Sequence, residues 1–421
     1  MAVEYRLISF LLIIALWIYI FHELKYSSMI ILDCKFDLSC EYKTKLLYKP
    51  YYDFDNKSIH IAMLLAGGID NCHQAETLIK SILFTQKRWY PSKDDCCNFK
   101  HFAQFHSDWS TAIDRVQKRK RFYIVFHFIV DELAYEFMHS LMSDWDLEGI
   151  NVQFYSIRNY EARIKSFRSG HYSGHKSYLK LLITQILPNE IKKVILLDSD
   201  MLLNDDITNL WRLFNEFNKD QCIGIAAEQN PTFYSNMGQR FWPTLGYGYN
   251  AGLLLIHLSK LRARNWDEKW MKGVYNLMRV KRILPTAEQD VINAVLNQNR
   301  HWLYEIPCEW NIQLSAFSIR ERCPVVWEIS FNNNNNNSNI NANHRSHKHK
   351  QPLNSDNILQ YPNAKLIHFN AHVKPEHFIP MPLRFPSPID KPNEYYSTIQ
   401  LSRKYFQFYY NLRSMNRHCF L

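Results

Sequence analysis

Residues Lys193 to Leu203 read KVILLDSDMLL, and the architecture can be worked out from this run. KVILL is short, apolar and uninterrupted, the pattern of a strand buried on both faces. It stops at Asp198-Ser199-Asp200, and apolar Met201-Leu202-Leu203 follows. Similar runs precede it. Ile59 to Ala66 (IHIAMLLA) ends in the glycine turn Gly67-Gly68, Phe122 to Val130 reads FYIVFHFIV, and Val152 to Ile157 supplies a third strand. Between them, Gln74 to Thr85, Leu133 to Trp145 and Ser177 to Leu187 carry helical apolar spacing, the last ended by Pro188. Strand alternating with helix predicts an α/β fold whose mostly parallel, mixed central sheet is covered on both faces. Ligands of such sheets bind beyond the carboxyl ends of the strands. Gly67-Gly68 and the Asp198-Asp200 pair both fall there.

Four short motifs carry chemistry. In extended backbone, Asp198 and Asp200 point to the same side. Unpaired, they would repel, and a hard divalent cation that also bridges phosphates removes the conflict. D-x-D alone is common in solvated loops; here it follows one apolar run and precedes another. Second, GYGYNAGLLLIHL (Gly246 to Leu258) sets small Asn250-Ala251-Gly252 before an apolar strand, letting a ligand approach the backbone, though any α/β turn reads similarly. Third, Glu288-Gln289-Asp290 opens a helix, where acids favour the dipole or face a cleft. Fourth, AKLIHF (Ala364 to Phe369) ends at His368 with Lys374 six residues on, a pairing that suits a metal ligand plus a cation for a diphosphate. A lone histidine is more often a packed imidazole.

The 421 residues are 47% hydrophobic and 15% aromatic, a globular composition, with a formal charge of +10. That charge fits a lysine-rich surface, an acidic glycan or an anionic nucleotide donor. No zinc-finger spacing, RNA-recognition signature or basic heptad helix is present, so nucleic acid is set aside. Among nine cysteines there is no CxxC pair, which argues against structural zinc; Cys308 and Cys323 are the better disulfide candidates if the compartment is oxidising. Leu7 to Phe21 is uncharged and largely apolar, with Arg6 before it and Glu23 and Lys25 after. No small-residue cleavage site follows, so a signal anchor fits better than a cleaved leader. Residues 1–6 become a cytoplasmic tail and 22–58 a stem. Asn56-Lys57-Ser58 and Asn336-Asn337-Ser338 are glycosylation sequons of little weight. Residues 89–121 break the strand–helix pattern, and 332–363 include the low-complexity run NNNNNNSNINANHRSHKH; both are expected as insertions.

In order, strand–DxD, N-A-G, (D/E)-Q-D and HFxxxxKP resemble glycosyltransferase family 8, which has the GT-A, Rossmann-like fold. The run beginning HYSGHKSYLKLL at His171 is similar, more narrowly, to the xylosyltransferase domain of LARGE-type enzymes. So are FWPTLGYGYNAGLLLIHLSKLR, LPTAEQDVINAVLNQN and PCEWNIQLSAFSIRERC. The resemblance covers roughly Ile59 to Pro375 and implies one catalytic domain over 59–380, with 381–421 as an extension. It implies that Asp198, Asp200 and His368 ligate Mn²⁺, that Ser199 between the two aspartates is a donor-binding residue, and that Lys374 contacts the donor diphosphate. Ala66 and Gly67 would line the nucleoside pocket of a UDP-sugar, Lys180 would bind donor, Asn250 and Ala251 would touch the sugar, and Gln289 would lie beneath the anomeric carbon. Cys308 and Cys323 match a paired-cysteine loop. The family usually has Asp where Glu288 stands, in a position tied to catalysis or sugar binding, and often glycine at Ala371. The same resemblance implies a retaining transfer, of xylose, to a glycan acceptor; the alternatives are another donor or a glucoside acceptor, or an inactive transferase-like binding protein of the secretory pathway. Arg320 and Arg322 are candidate partners for an acceptor glucuronate, or else solvated surface arginines. The resemblance places the chain in the Golgi membrane, single-pass, with a luminal catalytic domain; a homodimer is compatible with it.

Overall fold

A computed structural model describes residues 58–89, 122–145, 147–230, 243–315, 318–328, 361–371, 374–377 and 398–420. These belong to the compact unit Lys57–Leu421. The expected tail, anchor and stem, both sequons' asparagines, most of the 89–121 insertion and the asparagine run lie outside the described residues. Among the described residues no helix is long and apolar enough to cross a membrane.

Seven strands form the central sheet: β1 (Ser58–Leu65), β2 (Tyr123–Val130), β3 (Ile150–Ser156), β4 (Val194–Leu197), β6 (Ile223–Ala227), β7 (Tyr249–Ile256) and β8 (Leu303–Glu305). They lie in the order β3-β2-β1-β4-β7-β6-β8. Only β7 runs against its neighbours, β4 and β6; the other pairings are parallel. The expected strands appear with ends moved by a residue or two, except that Asn250-Ala251-Gly252, expected before an apolar strand, lie inside β7, where Asn250 pairs with Ala226 of β6. A second sheet of β5 (Met201–Leu203), β10 (Leu366–His368) and β9 (Ile312–Gln313) stands beside it, with β10 central.

Alternation along the strands divides the core into two faces. Ile59, Ile61, Met63 and Leu65 of β1, with Ile195 and Leu197 of β4, pack on one side. That side is covered by α1 (Ile69–Thr85), α2 (Glu132–Trp145) and α5 (Thr398–Ser414), α5 contributing Tyr405, Phe408 and Tyr409. Ala62, Val194 and Leu196 face the other way. There they meet α3 (Trp266–Val280), α4 (Glu288–Gln298) and the segment Gly174–Leu182. Continued past the end of β4, the alternation turns Asp198 toward this second face.

The spacing from Ser177 to Leu187 predicts an α-helix. The structure instead forms a 3₁₀ helix over Gly174–Leu182 and one α-helical turn, Ile183–Ile186. All residues from Ser177 to Leu182 are buried, so contacts on every side outrank the weak preference for α geometry. The narrower helix sets Ser177 and Lys180 in line on one edge.

Candidate active site

The short second sheet builds the centre of the site. In its antiparallel pairing, His368 opposes Met201, and the Phe369 N–H donates to the Asp200 carbonyl at 2.9 Å. On the other side, the Asp198 N–H donates to the Gly252 carbonyl of β7 at 2.9 Å. Two carboxylates and an imidazole converge: His368 Nε2 lies 3.7 Å from Asp198 Oδ2 and 3.4 Å from Asp200 Oδ1. One ligand atom from each of Asp198, Asp200 and His368 lies within 4.8 Å of the others. This donor set suits a divalent cation, with hard oxygens and a borderline nitrogen. His368 Nδ1 is buried without a hydrogen-bond partner, so one ring nitrogen remains to be satisfied. Gly252 makes room for the ring, since a Cβ there would fall 2.1 Å from His368 Cε1.

Two lysines flank the cluster. Lys180 Nζ reaches Asp198 Oδ1 at 2.6 Å and Glu288 Oε1 at 2.9 Å. Lys374 Nζ reaches Asp200 Oδ2 at 2.5 Å and the Phe369 carbonyl at 2.9 Å, and lies 5.1 Å from the Tyr172 ring centre. Burial opposes the charge on each lysine, but their acidic partners outweigh it and hold both above the ordinary lysine range. Burial likewise opposes ionisation of Asp200, yet Lys374 and His368 hold its carboxyl below the ordinary range. For Asp198, burial wins against Lys180 and pushes the carboxyl up. A cation at this position would relieve that penalty.

The predicted sugar-side residues come together one layer away. Gln289 Oε1 accepts from the Ala251 N–H at 3.0 Å. Asn250 Oδ1 accepts from the Gly252 N–H and from Asn311 Nδ2, each at 3.1 Å. Both amides donate to Glu228 Oε2, Asn250 at 3.3 Å and Gln289 at 3.4 Å. Burial pushes the Glu228 carboxyl up. Glu228 escaped the sequence reading, because a carboxylate just after β6 (IGIAA) carries no motif. Glu288 adapts to its unusual length by pairing with Lys180, so the chain Asp198–Lys180–Glu288 links β4 to the start of α4.

At the end of β1, Gly67 has φ 104°, a conformation glycine tolerates, and its N–H donates to Asp131 Oδ2 at 2.9 Å. Ala66 offers its carbonyl to Asn71 Nδ2 at 3.1 Å. Asp131, just past β2, also pairs with Lys176 at 3.2 Å. The sequence reading missed it too, for the same reason: one carboxylate after an apolar strand is not a motif. Ser199 points the opposite way from the two aspartates, donating to Gln74 Oε1 at 3.2 Å. Arg322 stacks on Tyr247, 4.3 Å from the ring centre, and Arg320 donates to the Val325 carbonyl at 3.2 Å. Cys308 and Cys323 form a disulfide.

Residues 96–379 match the family described as Glycosyl transferase family 8. The chain is 33% identical over 269 residues to the xylosyl- and glucuronyltransferase LARGE1 of Homo sapiens, covering 63% of this chain and 31% of that protein. It is 31% identical over 267 residues to LARGE2s of Gallus gallus, with the same coverage. The chain thus spans about a third of the length of these relatives. Among solved structures, apo mouse xyloside xylosyltransferase 1 is similar at 18% identity and TM-score 0.45, covering 61% of this chain and 88% of that one. The galactosyltransferase LgtC is similar at 15% identity and TM-score 0.44, covering 75% and 89%. Matched to that family over more than half of its own length, this chain belongs to glycosyltransferase family 8 and is a glycosyltransferase of GT-A fold.

Proposed function

We propose that the enzyme moves a sugar, xylose, from a UDP-sugar to a glycan hydroxyl with retention of configuration. The convergence of Asp198, Asp200 and His368 beside Lys374 carries the reading. Bound there, Mn²⁺ would supply Lewis-acid charge to the donor diphosphate. Lys374, already held charged, would exchange part of its contact with Asp200 for the diphosphate and stabilise it as it leaves. Gly67 and Ala66, at the end of β1 beside Asp131, would line the nucleoside pocket. Asn250, Ala251 and Gln289 are cross-braced by Glu228, so the sugar would meet preset donors and acceptors rather than mobile amides. In a same-face transfer, the acceptor oxygen bonds to the anomeric carbon as the bond to diphosphate breaks. The acceptor's proton passes to the departing phosphate oxygen, and no protein nucleophile is needed.

The acceptor is proposed to end in glucuronate, its carboxylate met by Arg322, which is braced on Tyr247. The apolar run Leu7 to Phe21 supports a Golgi signal anchor with the catalytic unit in the lumen. The test is UDP release by the purified protein with Mn²⁺ across a panel of UDP-sugars, with and without EDTA. EDTA-sensitive turnover of UDP-xylose is the expected result. EDTA-sensitive turnover of another donor would replace the sugar and keep the class. Equal turnover of a neutral glucoside acceptor would remove the glucuronate.

A further inference from the structure

Ser199 is joined to α5 by a polar network, and Lys374 by its chain neighbours, through contacts that the transfer reaction does not itself use. The Ser199 hydroxyl donates to Gln74 Oε1 at 3.2 Å, and Gln74 Nε2 donates to Glu376 Oε2 at 2.8 Å. The other oxygen of Glu376 accepts from the Tyr409 hydroxyl and from Arg413 NH1, the latter at 3.2 Å. The Tyr410 hydroxyl donates to the Pro375 carbonyl at 2.8 Å. Phe369, whose carbonyl receives Lys374, sits with its ring 5.0 Å from Phe406 and 5.2 Å from Tyr409. Helix α5 therefore grips the segment on both sides of Lys374, by Phe369 before it and by Pro375 and Glu376 after it. The Glu376 side chain is 4% exposed.

Resting on the proposed function, we propose that Glu376 is a positioning residue. Anchored by α5 and Gln74, it fixes Lys374 against Asp200 and fixes Ser199 between the two carboxylates. A lysine on a two-residue lever from an anchored carboxylate keeps one geometry. Without the anchor its long side chain regains rotamers and its ammonium regains water. A buried carboxylate held by three donors is costly to disturb, so the network earns its place by holding rather than reacting.

The test compares wild-type protein with Glu376→Gln, Tyr409→Phe, Lys374→Ala and the Glu376→Gln/Lys374→Ala double variant. Acetic anhydride labelling read by mass spectrometry reports Lys374 exposure without reference to any activity. The expected result is labelling of Lys374 at least ~10-fold faster in Glu376→Gln and measurably faster in Tyr409→Phe, with lysines far from α5 unchanged, as freed rotamers predict. Tyr409→Phe removes one hydroxyl from a packed ring and serves if the Glu376 variant folds poorly. In the UDP-release assay, Glu376→Gln should lower kcat more than it raises the donor KM, and the double variant should be no slower than Lys374→Ala. Unchanged Lys374 labelling in both single variants would overturn the proposal, as would additive kinetic losses. An inactive wild type that still shows the labelling change would remove the transfer reaction while leaving the positioning role intact.

Discussion

The strand-end half of the site and the half carried by the small second sheet are assembled differently. Gly67, Asp131, Asp198 and Ala251 lie at the ends of β1, β2 and β4 or within β7, strands that pair through the central sheet. His368 and Lys374 arrive from more than 160 residues beyond Asp200, through β10, and are braced by α5. The first half follows from a repeated local pattern. The second depends on a sheet of two- and three-residue strands, whose stability comes from packing rather than from length. The two halves should therefore respond differently when broken.

The largest effect is expected at their meeting point. Asp200→Asn should reduce turnover by ~10³-fold or more, since it removes both a proposed metal ligand and the charged partner of Lys374. Calorimetric Mn²⁺ titration should show the same loss. Gly252→Ala comes next: its new methyl group would push the His368 ring aside, and a displacement of that size should cost ~10²-fold in activity. Its crystal structure should show the imidazole moved while β7 keeps its register. Glu288→Asp restores the family's usual residue but withdraws the carboxylate from Lys180, now 2.9 Å away. A fall in kcat of ~10-fold, with donor KM nearly constant, would show that this chain has adapted to glutamate. An increase would show that it has not.

Away from the chemistry, replacing Cys308 and Cys323 by serine opens a loop of sequence separation 15. It should cost ~3 kcal/mol in denaturant unfolding through the freed chain entropy, with turnover largely preserved below the transition. The smallest effect belongs to His127, which burial, aided by His60, holds well below the ordinary histidine pKa. Its neutral form is favoured on folding, so its contribution is fully present above the unfolded histidine value of about 6.5 and is lost as pH falls below that. The wild-type melting midpoint should drop more steeply below pH 6 than that of His127→Phe, measured by calorimetry.

What was legible in the sequence follows the same division. Buried parallel strands show as apolar runs, so β1, β2 and β4 were locatable to within a residue, and Asp198 and Asp200 with them. His368 and Lys374 were readable only through the order of motifs, because β10 spans three residues and the contact with Asp200 is non-local. Glu228 and Glu376 had no motif at all. Each is defined by the donors that surround it, and those of Glu376 come from two separate helices, Gln74 of α1 and Tyr409 and Arg413 of α5. The 3₁₀ geometry around Lys180 was hidden for a related reason: complete burial, a tertiary property, selected it over the α-helix that the spacing suggests.

The claim that binds these observations is that Asp198, Asp200 and His368 together hold the cation that holds the donor. Its most direct test is calorimetric titration of UDP into wild type and His368→Ala, with Mn²⁺ and with EDTA. The account predicts binding that requires Mn²⁺ and weakens at least ~10-fold in His368→Ala, the range expected for loss of a group that sets metal affinity. UDP binding of equal strength in EDTA, or unaffected by loss of His368, would contradict it.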